Sequence, residues 1–185
     1  HLVEKINKLR KERNAIILVH NYQFPEVQDI ADYRGDSLEL SRIAAKSEFK
    51  VIVFCGVYFM AETASILCPD KKILITDANA GCPMANMIIA QDVCQLKKEH
   101  PHAVTVGYVN TSAAVKAESD VCCTSANAVR VMESLDAEEI LFVPDQYLGN
   151  YVSTKTGREM ILWPGFCITH MRIQPRHITA LRQEY

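Results

Sequence analysis

Landmarks in this 185-residue chain recur at a nearly constant interval, and that repeat restricts the possible folds more than any other feature. Asn21 has a counterpart 89 residues on at Asn110, Ser37 has one 88 residues on at Ser125, and Val51–Phe54 matches Ile140–Val143 at an interval of 89. Within each copy, continuous apolar runs ("AIILV", "VIVFCGV", "KKILIT"; then "AVTVGYV", "EILFVP", "EMILW") alternate with stretches of helical periodicity. Unbroken apolar strands separated by helices are the pattern of a parallel sheet covered on both faces. The expected fold is therefore α/β, built of repeated three-layer units: 1–81, 82–166, and the start of a third over 167–185.

Composition excludes several functions. Hydrophobic residues make up 49% of the chain, and 20 basic against 22 acidic residues leave a formal charge of -2. No basic field is present to hold nucleic acid or anionic lipid. No apolar run approaches the roughly 20 residues of a membrane span, and the amphipathic start "HLVEKINKLRKERN" lacks the apolar centre of a secretory signal. A cytoplasmic protein is expected. Seven cysteines, none in a CxxC pair, argue against a disulfide framework.

Most of those cysteines read as core or turn residues: Cys55, Cys94, Cys122 and Cys123 as core, Cys68 as a turn residue. Cys82 and Cys167 differ, because each follows a strand and a polar, glycine-containing turn, and they are related by 85 residues. A thiol at the same turn of each copy suggests that like groups surround a common point, as internal repeats tend to arrange them. Two thiols are too few for an ordinary metal site, and the repeat places a third some 85 to 89 residues past Cys167, beyond Tyr185.

Ligands of α/β units gather where strands end and helices begin. The residues at those places are polar and particular: "HNYQ" (His20 to Gln23), "YVNTS" (Tyr108 to Ser112), "GDSLEL", "TSANAV", and "CITH", which brings His170 three residues after Cys167. Together they suit a small, multiply anionic substrate. Asp36, Ser37, Thr124 and Ser125 also read as helix caps, since Ser, Thr and Asp are preferred there.

The motifs "HNYQFPEVQDIADYRGDSLEL", "VIVFCGVYFMAETASIL", "AGCPMANM", "YVNTSAAVKAESDVCCTSANAV" and "WPGFCITH" closely resemble the quinolinate synthase family, over nearly the whole chain. The resemblance implies three homologous α/β domains in a pseudo-threefold triangle around a [4Fe-4S] cluster, held by one cysteine from each. Two of these map to Cys82 and Cys167. It implies a transferase of NAD biosynthesis that condenses iminoaspartate with dihydroxyacetone phosphate to quinolinate, with an open iron as Lewis acid. His20, Ser37, Tyr108, Asn110 and Ser125 would bind substrate oxygens. His20, Tyr22, Tyr108 and His170 are the catalytic candidates. An L-aspartate oxidase or dehydrogenase would supply the iminoaspartate.

"THMRI" after Cys167 departs from the family pattern at Met171 and Arg172, where an acidic or amide residue is commoner after the histidine. With the third domain outside this chain, the 185-residue chain is expected to be inactive alone. Two rival readings are a zinc or thiol-redox protein, opposed by the absence of CxxC spacing, and a phosphate-binding α/β module with structural thiols. No GxGxxG or GxxxxGK[ST] run supports a dinucleotide or P-loop reading.

Overall fold

A computed structural model describes residues 1–185, which fall into two compact units, His1–Cys82 and Pro83–Tyr185. In the first, α1 (Leu2–Glu12) leads to β1 (Ala15–His20), α2 (Pro25–Gln28), β2 (Tyr33–Gly35), α3 (Ser37–Lys46), β3 (Val51–Cys55), α4 (Tyr58–Leu67) and β4 (Lys72–Ile75). In the second, a 3₁₀ turn at Ala85–Met87 precedes α5 (Ala90–Glu99), β5 (Val104–Tyr108), α6 (Ala113–Glu118), β6 (Val121–Cys123), α7 (Ala128–Glu133), β7 (Ile140–Val143), α8 (Gln146–Thr156) and β8 (Ile161–Leu162). Two further helices, α9 (Ile168–Met171) and α10 (Pro175–Glu184), complete it.

Each unit carries a four-stranded, wholly parallel sheet, ordered β2-β1-β3-β4 in the first and β6-β5-β7-β8 in the second. The expected repeated α/β fold is present, with the same strand order in both copies. Continuous apolar sequence explains the central strands: Ala15–Val19 and Ile140–Val143 are buried along their whole length, as strands covered on both faces must be. Phe142, Val106, Met132 and Val152 form the core of the second unit. Ile17, Val19 and Cys55 form a core cluster of the first, with Ile6 of α1 packed against it.

Three local features depart from a plain alternation of strands and long helices. "PEVQDIADY" holds one helical turn, Pro25–Gln28, before the chain enters β2. "MANMIIAQDVCQLKKEH" breaks after Met87, and α5 starts only at Ala90, where Asp92 accepts the amide of Ile89 at 2.9 Å. Strands β2 and β6 have three residues each, too few to show a period. They sit at sheet edges, where pairing on one side suffices.

The repeat extends to polar details. Asp32 Oδ2 accepts the amide of Ile17 at 2.8 Å, and Arg10 of α1 reaches the same carboxylate at 2.7 Å. In the second unit Asp120 Oδ2 accepts the amide of Thr105 at 2.8 Å and Lys97 of α5 reaches the carboxylate at 3.3 Å. The exposed end of α3 is closed by Lys71, whose ammonium donates to the carbonyls of Ala44, Ala45 and Ser47. Its counterpart Arg158 does the same to Met132 in the last turn of α7 and to Leu135 and Ala137 beyond it. Cations near a helix C-terminus satisfy carbonyls that the helix itself leaves without a donor.

Candidate functional site

In a doubly wound sheet the strand order reverses at one point, and the crevice beyond the carboxyl ends of the two strands there is the usual ligand site. Here that point lies between β1 and β3 in the first unit and between β5 and β7 in the second. His20 in the first unit and Tyr108 in the second end the strand on one side of that point.

In the first unit β1 delivers His20 to the crevice. The amide of Tyr22 donates to His20 Nδ1 at 3.2 Å, so the neutral ring carries its proton on Nε2. The two rings lie 4.5 Å apart and tilted by 58°. Partial burial holds the His20 pKa below its ordinary value, with the nearby Asp36 carboxylate opposing that shift. Tyr22 is 83% exposed. Behind the histidine Gly56 leaves a narrow gap: a Cβ there would stand 2.9 Å from Met60 Sδ and 3.6 Å from His20 Cβ. Asp36, not Ser37, is the cap of α3, accepting from the amides of Leu38 and Glu39 at 2.9 and 2.8 Å. The Ser37 hydroxyl is not used as the cap.

The second unit carries a partly open cavity of ≈180 Å³ lined by Tyr108, Ser125, Asp145, Tyr147, Leu148, Cys167 and His170. Four of the residues singled out in the sequence, Tyr108, Ser125, Cys167 and His170, are thus brought together. Asn110 lies two residues past β5 and is not among the lining residues. Thr124 does not cap α7: its amide and hydroxyl instead donate to Asn127 Oδ1, at 2.6 and 3.0 Å, and Asn127 is the cap residue. Cys167 stands at the start of α9, where its sulfur accepts the amide of His170 at 3.5 Å.

Asp145, Tyr147 and Leu148 were not anticipated. Asp145 is only 5% exposed, and its Oδ1 accepts the amides of Tyr147 and Leu148 at 2.9 and 3.2 Å, capping α8. Tyr147 meets Phe166 edge-on at 6.4 Å between centroids. The signal was available as "PD" before a helical run. The repeat hid it, because the position matching Asp145 in the first copy is the apolar Val57.

Both cysteine turns are fastened by the same bond. The first-turn amide of α4, on Tyr58, donates to the carbonyl of Ala80 at 2.7 Å, two residues before Cys82; that of α8, on Gln146, donates to Gly165 at 2.9 Å, two residues before Cys167. Cys82 and Cys167 are half-buried. Of the others, Cys55, Cys68 and Cys123 are buried, and burial raises the thiol pKa of each, to about 12 at Cys123. Such thiols are poor sources of the thiolate that metals and electrophiles require. Cys94 is half-buried and Cys122 exposed, so neither is the core residue expected. Cys94 is also raised, chiefly by its hydrogen bond to Glu118.

No three His, Cys, Asp or Glu side chains come together at metal-binding distance within either unit. The turn thiols fit an iron–sulfur cluster in kind, thiolate being its usual ligand, but each unit supplies only one. No helix is long and apolar enough to cross a membrane.

Residues 4–185 match the model of the family described as "NadA: Quinolinate synthetase A protein". Curated relatives named quinolinate synthase include those of Sulfurihydrogenibium sp. (strain YO3AOP1), 59% identical over 100% of this chain and 60% of that protein, and Dehalococcoides mccartyi (strain CBDB1), 58% identical over 98% of this chain and 60% of that protein. The relative from Methanosarcina barkeri (strain Fusaro / DSM 804) is 51% identical over 100% of this chain and 60% of its own length. The chain therefore spans about 60% of the length of the curated relatives it matches.

Proposed function

The chain belongs to the quinolinate synthetase A family, and from that membership we propose that it forms two of the domains of a quinolinate synthase. The reaction condenses iminoaspartate with dihydroxyacetone phosphate to quinolinate, releasing phosphate and two waters, for NAD biosynthesis. The observation that carries this reading is the convergence of Tyr108, Ser125, Cys167 and His170 on one cavity at the reversal point of the second sheet.

Both substrates are rich in oxygen anions, and the candidate residues are donors. The neutral His20 ring, with Nδ1 occupied by the Tyr22 amide, presents Nε2–H to a substrate oxygen. Ser37, Tyr108, Asn110 and Ser125 donate to carboxylate and phosphate oxygens. Tyr22, exposed beside His20, covers bound substrate, and His170 moves protons during isomerisation and ring closure. Cys82 and Cys167 would hold the [4Fe-4S] cluster, each on a turn stapled to a helix start. When bound, the cluster would supply Lewis acidity toward the substrate.

The stretch 167–185 opens a third repeat. In its support, Ile178, Leu181 and Arg182 of α10 follow Val93, Leu96 and Lys97 of α5 by 85 residues, the spacing of the cysteines. His177 accepts the amide of Gln174 at 3.2 Å, as Asp92 accepts that of Ile89. The 185-residue chain alone is inactive, and the active protein takes iminoaspartate from an L-aspartate oxidase or dehydrogenase.

The test is iron and acid-labile sulfide analysis of anaerobically purified protein spanning the relatives' full length, beside Cys82→Ser and Cys167→Ser, together with quinolinate formation from the two substrates. About four irons and four sulfides, lost in both variants, are expected. Quinolinate formation without iron would overturn the cluster's role, and no quinolinate from iron-replete protein would overturn the reaction.

A further inference from the structure

Cys167 sits on a turn whose geometry is imposed from one side by a single corner of the chain, Pro144–Asp145–Gln146, between β7 and α8. Three features define that corner. Asp145 and Gly165 form an isolated parallel β-bridge, to which the Gln146 amide contributes its bond to the Gly165 carbonyl at 2.9 Å. The Gln146 side chain donates through Nε2 to the Pro164 carbonyl at 3.2 Å. Gly165 itself lies so close that a Cβ would collide with the carbonyl oxygen of Pro144, a backbone atom that cannot swing aside. Met87 flanks the same turn, its carbonyl accepting Trp163 Nε1–H at 2.8 Å and its sulfur the Phe166 amide at 3.4 Å.

The matching turn of the first unit has only part of this. The Tyr58 amide donates to Ala80, but the residue before it, Val57, contributes no side-chain cap to α4, and no side chain takes the place of Gln146. Ala80, which carries a Cβ, stands where the second unit has Gly165. One backbone bond is common to both turns, and the steric seat and the amide clamp belong to Cys167 alone.

We propose that the Pro144–Asp145–Gln146 corner positions Cys167, with Gln146 clamping the turn, Gly165 supplying the close seat and the Asp145 cap holding the helix start that carries both. These are positioning residues: they act on the sulfur through the backbone between Gly165 and Cys167. The proposal rests on the reading of Cys167 as a cluster ligand for its functional meaning, but the positioning is a property of the chain itself. Asp145 also lines the cavity, and the corner therefore ties the cavity wall to the thiol.

The test is site-resolved alkylation of the 185-residue chain by iodoacetamide, read by mass spectrometry as the ratio of the rates at Cys167 and Cys82, with folding verified by circular dichroism. Cys82 is the internal reference, because its turn uses none of the corner's side chains. In Gln146→Leu the ratio is expected to change by roughly threefold or more, the size of effect that one modest hydrogen bond carries. Gly165→Ala should shift it further. Asp145→Asn, which retains capping ability, should stay near the parent, whereas Asp145→Ala should not. A ratio within twofold of the parent in folded Gln146→Leu would overturn the proposal. So would equal shifts in Asp145→Asn and Asp145→Ala, which would mean that charge and not position acts on the sulfur. Failure of these ratios is distinct from failure of the ligand reading, which iron and sulfide content in Cys167→Ser decides.

Discussion

Asp120 and Thr105 are joined twice: the Asp120 carboxylate accepts the Thr105 amide at 2.8 Å, and the Asp120 amide donates to the Thr105 carbonyl at 3.0 Å. The side chain completes a ladder that β6 is too short to supply. Asp32 and Ile17 repeat the arrangement at 2.8 and 2.9 Å. Removing either carboxylate strands an amide on a residue no more than 4% exposed. Asp120→Ala or Asp32→Ala is expected to cost about 1 to 3 kcal/mol in urea unfolding, the penalty for an unsatisfied buried donor. The Asn variants, still able to accept, should cost less. Arg10→Ala and Lys97→Ala, partly exposed ion-pair partners, should fall within about 1 kcal/mol of the parent.

Arg158 reaches three carbonyls at and just past the end of α7, and Lys71 three at the end of α3. Arg158→Met is expected to destabilise by about 1.5 to 3 kcal/mol, as hydrogen bonds to a charged group do. Arg158→Lys should recover only part of this, since one ammonium cannot reproduce the spread of the guanidinium fork. Equal stability of Arg158→Met and parent in urea would contradict the capping role.

The His20 pKa lies below its ordinary value of 6.5, mainly because burial disfavours the charged ring. A base whose folded pKa is depressed binds fewer protons folded than unfolded. Its contribution to stability is therefore complete above about pH 6.5 and lost as pH falls through the folded value. Stability of the parent should drop through this window more steeply than that of His20→Gln. Parallel curves would show that His20 does not titrate there.

In protein of the relatives' full length, His170→Gln is expected to lower kcat by about 100-fold or more, within the range of lost proton transfer. A raised KM at unchanged kcat would restrict His170 to binding.

The large features of the fold were legible because they rest on burial. Unbroken apolar runs gave β1, β3, β5 and β7, and the spacing of Asn21 to Asn110 and Ser37 to Ser125 revealed the repeat. What escaped rests on single polar contacts between distant residues. Asp32 and Asp120 look like ordinary surface acids until the structure sets them on amides of the central strands. Tyr108, Ser125 and His170 stood out because helix starts and strand ends are where ligands gather, and Cys167 because the repeat pairs it with Cys82. Asp145 and Tyr147, at the same kind of place, were missed because symmetry was the guide and the first copy has Val57 and Phe59 there.

The paired Asp32 and Asp120 contacts also act as an index mark on each sheet. A parallel edge strand of three residues has few bonds to fix its alignment, and a slip of one residue would turn every side chain to the opposite face. Each carboxylate matches one amide only, Ile17 or Thr105, and a displaced strand would forfeit that match and leave the helix cation facing water. The acid before each edge strand thus keeps His20 opposite Gly35 and Tyr108 opposite Cys123, at the same height in the two sheets.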